Sequence, residues 1–311
     1  MILVINATGP IDLNDYVDRV GAILCPFLPG IQGGKITADA IFGLFNPSGK
    51  LALTWPKHQY DCPAYKNFGG ENKEVWYGEG IYVGYRWYDA RRIEPAYPFG
   101  YGLSYTSFEI TDVQVPAEIN VERENIPVSI RVKNTGSMAG SEVVQVYVRD
   151  VECRFDRPEK ELKGFRKVFL QPGEEKTVAI EITKADLAGY YMDFGEWITQ
   201  PGEFDILVGT SSRDIAFTRR VDVRCRDPFG WNGRASIGKI AANAKSVEII
   251  NRIIEDDITI LCHVALDFAP DKSLQELWSG TNIQDVLHSK GWDDATIEAK
   301  YRQIMDEFDA L

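Results

Sequence analysis

The sequence predicts a chain in three parts. Residues 1–107 read as a partial α/β sandwich, half of a doubly wound parallel sheet; residues 108–225 as an all-β sandwich; and residues 226–311 as a helical extension. Three observations carry this prediction. Short continuously apolar runs alternate with helical segments as far as Trp55. From Phe108 onward, period-two alternation is punctuated by turns rich in Asn, Gly and Pro, and after Arg224 apolar residues recur at helical spacing.

In the first part, the apolar run Ile2 to Ile5 ends in Asn6-Ala7-Thr8-Gly9-Pro10. A strand buried on both faces ends this way, in a loop at its carboxyl edge. A helix is expected from Asp12 to Val20, a second strand in Ala22 to Leu28, a helix from Lys35 to Gly43, and a third strand from Lys50 to Trp55. That order implies parallel pairing. Two or three strands fall short of the roughly five or six common in a doubly wound sheet, so the segment reads as the second half of such a domain. The turn Gly30-Ile31-Gln32-Gly33-Gly34-Lys35 is not a phosphate loop. Pro29 stands where a Walker loop needs its first glycine, Ile36 follows the lysine, and no G-x-G-x-x-G follows the first strand. It reads instead as a turn that lets a helix pack closely on the sheet.

Pro56 to Gly70 is polar and aperiodic, a surface loop. The stretch Trp76 to Phe108 is dense in aromatic residues. Alternation of Ile81, Val83, Tyr85 and Trp87 suggests a strand, interrupted by glycines at 78, 80, 84, 100 and 102. Aromatics beside such turns build a small core or line a ligand cleft. The candidates for substrate contact are Trp76, Glu79 and Tyr82. The structural alternative has both rings packed in a core and Glu79 accepting backbone N–H bonds or pairing with Arg86.

In the second part, alternating strands are expected around Val128 to Val132, Val144 to Val148, Lys167 to Leu170, Thr177 to Ile182 and Phe204 to Val208. Turns at Asn134-Thr135-Gly136, Gln171-Pro172-Gly173 and Gln200-Pro201-Gly202 separate them. In the tail, Ile249, Ile253, Ile260, Val264 and Phe268 are spaced for helix. Ile297, Tyr301, Ile304, Phe308 and Leu311 form a clearer stripe, N-capped by Asp293 or Asp294. This stripe is expected to pack on the sandwich or the α/β part, or to form a dimer seam.

A formal charge of −12 argues against nucleic acid or an anionic membrane as partner. No apolar run approaches the roughly 18 residues of a membrane span. Five scattered cysteines form no CxxC pair and three histidines lack ligand spacing, so neither a disulfide scaffold nor a metal site is expected. The sequon Asn6-Ala7-Thr8 ends an apolar strand and is taken as chance. The odd cysteine count and an opening without a basic leader give the expectation of a cytoplasmic location.

Several segments, in register along residues 1 to 220, resemble glycoside hydrolase family 3 of the β-glucosidase type with a fibronectin type III-like domain. They are Ile5 to Pro10, Pro29 to Gly34, Asn46 to Leu51, Thr54-Trp55-Pro56, Tyr77 to Arg86, Pro98 to Thr106, Arg157 to Phe165 and Pro201 to Phe204. The resemblance implies a C-terminal portion of a retaining enzyme acting on terminal β-D-glucosyl residues. In the family, the nucleophile is an aspartate on a barrel of about 250 residues. The acid/base is a glutamate in a Gly-Glu-Gly-x-Asp-Arg loop. Gly78-Glu79-Gly80 continues with Ile81 and Tyr82, so it is a false match, and no catalytic residue is assigned. The resemblance implies no cofactor. It implies a β-glucoside or oligosaccharide substrate held through the barrel, and a homodimer or a barrel-containing polypeptide as possible partner. The rival expectations are a non-catalytic carbohydrate-binding or interaction module, and one subunit of a split glycosidase.

Overall fold

A computed structural model describes residues 1–153, 155–192, 194–230, 233–258 and 271–308. The chain divides into two compact units, Met1–Cys225 and Arg226–Leu311. Of the sequence features above, Ile260, Cys262, His263, Val264, Phe268 and Leu311 lie outside the described residues.

The first unit opens with two parallel strands, β1 (Ile2–Val4) and β2 (Ala22–Leu24), paired Ile2 to Ala22 and Val4 to Leu24. Helix α1 (Gly33–Ile41) follows a tight turn at Gly30–Gln32. Gly30 has φ +70°, a left-handed conformation that glycine adopts without steric cost. The core of this half-sheet is small: Ile5, Leu13 and Trp55, ringed by Leu3, Ile23, Leu51, Leu53 and Tyr97.

Four expectations for this region are corrected. The helix over 12–20 is only a 3-10 turn at Val17–Arg19. Asn14 draws its own backbone N–H onto Asp12 and sends its side chain to the Lys57 carbonyl, so local polar bonds compete with helix. The third strand does not join the sheet. Residues 51–55 run antiparallel to 97–101, through Trp55 N to Tyr97 O at 2.8 Å and Gly100 N to Leu51 O at 2.7 Å. β1 is not buried on both faces, since Ile2 is 47% exposed. Finally, Ile81 to Trp87 is no strand. A turn through Gly84 (φ +57°) starts helix α2 (Tyr85–Ala90), whose buried residues Tyr85, Tyr88 and Asp89 have the i, i+3, i+4 spacing of one helical face.

The sandwich has a three-stranded sheet, β3 (Phe108–Gln114), β5 (Ile126–Asn134) and β8 (Glu175–Ile182), ordered β3-β5-β8. Its five-stranded partner comprises β4 (Glu118–Asn120), β6 (Gly140–Asp150), β7 (Glu161–Leu170), β11 (Gly202–Gly209) and β12 (Ile215–Arg224), ordered β4-β12-β11-β6-β7. A short helix α3 (Lys184–Leu187) and the hairpin β9 (Gly189–Tyr191) and β10 (Glu196–Ile198) link β8 to β11. Val128, Ile130 and Val132 face Val144, Val146, Val148, Ile206 and Val208 across a shared apolar core. Period-two alternation puts one face of each strand there.

The second unit holds α4 (Ile237–Ala241), α5 (Ala244–Ile254), α6 (Leu274–Trp278), α7 (Thr281–Ser289) and α8 (Asp294–Phe308). Among the described residues, α4 with α5 and α6 with α7 are two copies of one motif, a Ser-capped short helix followed by a longer one. Ser236 Oγ accepts from Lys239 N at 3.2 Å, and Ser273 Oγ from Glu276 N at 3.1 Å. The copies meet back to back, with Ile237 N donating to Lys272 O (2.8 Å) and Leu274 N to Ala235 O (2.9 Å). Equivalent residues Ile250 and Leu287 are both fully buried. Asp293 caps α8, its Oδ1 accepting from Thr296 N at 2.8 Å. The stripe Ile297, Tyr301, Ile304 and Phe308 packs into this unit's own core with Ile237, Ile240, Ile250 and Leu274. Neither the sandwich nor a second copy is needed to bury it, which corrects both expectations for this helix.

Candidate functional site

The aromatic stretch joins the half-sheet to the sandwich. Along β6 the inward residues are core valines, while the outward Gln145 and Tyr147 are also buried. Residues 85–101 cover them: Tyr85 meets the Tyr147 ring edge-on at 5.8 Å and Phe99 at 5.0 Å. The Tyr85 hydroxyl accepts from Leu162 N at 2.8 Å. Gln145 Nε2 donates to the carbonyls of Gly100 (3.1 Å) and Thr210 (2.6 Å). Gly100, at φ +83°, lies so close that a Cβ there would sit 2.1 Å from Gln145 Oε1. Asn46 ties the next turn, its Oδ1 accepting from Ser104 Oγ (2.9 Å) and Tyr105 N (2.8 Å).

Charges lock the same seam. Lys160 Nζ is 2.6 Å from Asp89 Oδ2 and Arg213 Nε is 3.1 Å from Asp89 Oδ1. Burial pushes the Asp89 carboxyl above its ordinary value, against the pull of Lys160 and Arg213. Glu161 receives Arg157 at 2.8 Å and Arg86 at 3.2 Å. Burial works against its charge, but Arg157, Lys163 and Arg86 together outweigh that and hold Glu161 below the usual glutamate range. Arg157 also meets Asp150 at 3.3 Å and donates to the Leu187 carbonyl at 2.9 Å. These carboxylates are bound into a structural network.

The three candidate contact residues do not converge. Trp76 is 72% exposed. The Tyr82 hydroxyl donates to the Asp156 carboxylate and to the Arg157 carbonyl (3.3 Å), tying the loop to the sandwich. Burial, and after it the Asp156 carboxylate, push that hydroxyl up to about 12. Glu79 does not pair with Arg86, which is engaged by Glu161. Its Oε2 is buried with no hydrogen-bond partner among the described residues. No cluster of three or more metal-ligating side chains occurs among the described residues. Sequence reading missed the Asp89–Lys160–Arg213 group, because its members are far apart in the chain and no local pattern joins them.

The profile of the Glycosyl hydrolase family 3 C-terminal domain matches residues 1–85, and that of the Fibronectin type III-like domain matches residues 142–212. Thermostable beta-glucosidase B of Acetivibrio thermocellus is 42% identical over 275 residues, 87% of this chain and 36% of its own length. An exo-alpha-(1->6)-L-arabinopyranosidase of Bifidobacterium breve is also 42% identical, over 70% of this chain and 28% of its own length. The crystal structure of a Bifidobacterium adolescentis GH3 beta-glucosidase superposes with a TM-score of 0.70 at 36% identity, covering 80% of this chain and 37% of that one. The chain thus spans about a third of the relatives it matches. A match over 87% of the chain is longer than residues 1–225, so it runs into the helical unit. With both profiles in order on a half-sheet and a sandwich, the chain belongs to glycoside hydrolase family 3 and is a C-terminal portion of it.

Proposed function

We propose that this chain is a non-catalytic C-terminal part of a retaining β-glucosidase acting on terminal β-D-glucosyl residues. The observation that carries this reading is the 42% identity to a beta-glucosidase across 87% of the chain. Retaining hydrolysis needs a nucleophilic carboxylate and an acid/base carboxyl about 5 Å apart across the scissile bond. Glu161 and Asp150 are near each other, but both are bridged by Arg157, and Glu161 is held low, the wrong direction for a general acid at neutral pH. The work of this part is to brace a catalytic part carried on other sequence. Support comes from the apolar side chains it leaves outward, among them Leu28, Ile31, Phe42 and Leu44 at 70% to 106% exposure. A barrel-containing polypeptide would cover them, gaining hydrophobic stabilisation. An exo-alpha-(1->6)-L-arabinopyranosidase shares the same 42% identity over this portion, so the choice of sugar belongs to the catalytic part.

The test has two arms. The purified chain is assayed on an aryl β-glucoside beside its Glu79→Gln variant, with equal background turnover expected from both. It is then mixed with a polypeptide carrying a family 3 barrel and the Gly-Glu-Gly-x-Asp-Arg loop, and hydrolysis above that of either part alone is expected. Turnover by the chain alone that Glu79→Gln abolishes would overturn the proposal.

A further inference from the structure

The amino-terminal end of the aromatic stretch stays outside the seam. Exposed large apolar side chains are unevenly placed in this chain: most lie in residues 1–107, five in the sandwich and none among the described residues of the helical unit. Six of them, Phe68, Val75, Trp76, Tyr77, Ile81 and Val83, fall in one run and are 49% to 88% exposed. The backbone of this run is folded by its own bonds. Glu71 and Glu74 exchange backbone hydrogen bonds of 3.0 and 2.8 Å across a hairpin turn. Its central residues, Asn72 and Lys73, have φ +52° and +68°, as a tight hairpin requires. Two further turns close from Gly80 N to Tyr77 O (3.1 Å) and from Tyr82 N to Glu79 O (3.0 Å). Tyr82 then ties the run to Asp156 and Arg157 of the sandwich.

Apolar side chains held outward on a bonded backbone meet a partner already arranged, which lowers the ordering cost of docking. Protein interfaces place aromatic residues at the centre and polar residues at the edge. Here Trp76 and Tyr77 are flanked by the polar turn Glu71 to Glu74. The occupant follows from where the uncovered surface lies. The helical unit exposes no large apolar side chain among its described residues, and its core is closed by its own helices. The run lies within residues 1–85, matched by the family 3 C-terminal domain, of which this chain carries a two-stranded half-sheet. The chain spans 36% of the Acetivibrio thermocellus beta-glucosidase, so most of such an enzyme is on other sequence. We infer that Phe68 to Val83 is a docking arm that seats against the barrel-bearing catalytic part, with the Trp76 and Tyr77 rings entering an apolar cleft of that part. The inference rests on the β-glucosidase reading for the identity of its partner.

The experiment titrates the full chain into a polypeptide carrying a family 3 barrel and the Gly-Glu-Gly-x-Asp-Arg loop, by calorimetry, and records the hydrolysis that the mixture restores. Trp76→Ala should weaken binding by about thirtyfold, as expected of an aromatic anchor. Trp197→Ala, at a tryptophan of the sandwich that is 71% exposed, should change it by less than about twofold. Trp76 is exposed, so its variant should keep the wild-type melting temperature. Wild-type affinity in Trp76→Ala, or an equal loss in Trp197→Ala, overturns the arm. So does self-association of the chain in sedimentation that Trp76→Ala abolishes, since a second copy is then the occupant. If Trp76→Ala restores hydrolysis as well as the wild type at limiting concentration, the arm fails and the enzyme reading stands. If the wild type neither binds nor restores hydrolysis, the enzyme reading fails and takes the arm's partner with it.

Discussion

Replacing Lys160 with methionine tests whether the seam is held by its charges. Asp89 and Lys160 have side chains 2% and 8% exposed, with nitrogen and oxygen 2.6 Å apart. Removing one member of a buried pair leaves a desolvated charge and costs about 3–5 kcal/mol. Arg213 remains 3.1 Å from Asp89 but is itself 34% exposed, so it offsets only part of that cost. The expected loss is therefore at the lower end, about 3 kcal/mol. At a urea m-value of about 2 kcal/mol/M, the midpoint should fall by roughly 1.5 M. Amide hydrogen exchange of β6 in urea reads this unit separately from the helical one. The double variant Asp89→Asn/Lys160→Met should recover to within about 1 kcal/mol of wild type, since no unpaired charge is then buried. A midpoint shift below about 0.5 M, or a double variant no better than the single, would refute a seam built on this pair.

Three other outcomes follow from the same geometry. Gly102→Ala would place a Cβ 2.4 Å from the Gly49 carbonyl oxygen, a backbone atom that cannot swing away. It should cost about 1–3 kcal/mol, read as a lower urea midpoint. Because the Glu161 carboxyl titrates lower in the folded chain than its ordinary value of 4.5, its contribution is fully present above that pH. That contribution is lost as pH falls through the lower folded value, so urea midpoints should drop below pH 4.5, with a shallower slope in Glu161→Gln. Ile250→Ala, at a fully buried position of the helical core, should cost about 2–5 kcal/mol. Exchange protection should fall in α5 and α8 while β6 is unaffected.

Much of the fold was legible in the sequence because its signals are local. In the sandwich, Val128, Ile130 and Val132 alternate because one face of β5 meets the core. Pro172-Gly173 turns the chain because Gly173 takes φ +74°. The stripe Ile297 to Phe308 is helical for the same kind of reason, one face buried every turn. The resemblance to family 3 was likewise written in short segments such as Asn46 to Leu51 and Tyr77 to Arg86.

Where a segment's partner lies far along the chain, local pattern misleads. Ile81 to Trp87 alternates like a strand, yet Tyr85 finds its partners in β6 and β7 and Asp89 pairs with Lys160 and Arg213, and a helix puts both, with Tyr88, on one buried face. Residues 51–55 have strand composition but bond to 97–101 outside the sheet. By itself the sequence determined the order of the half-sheet, the sandwich and the helices, and the family, because periodicity, turn chemistry and motif are properties of neighbouring residues. Only the tertiary structure decided how Trp76 to Phe108 is used: it is the packed, ion-paired joint between half-sheet and sandwich. Burial and charge pairing depend on residues that sequence distance keeps apart and folding alone brings together.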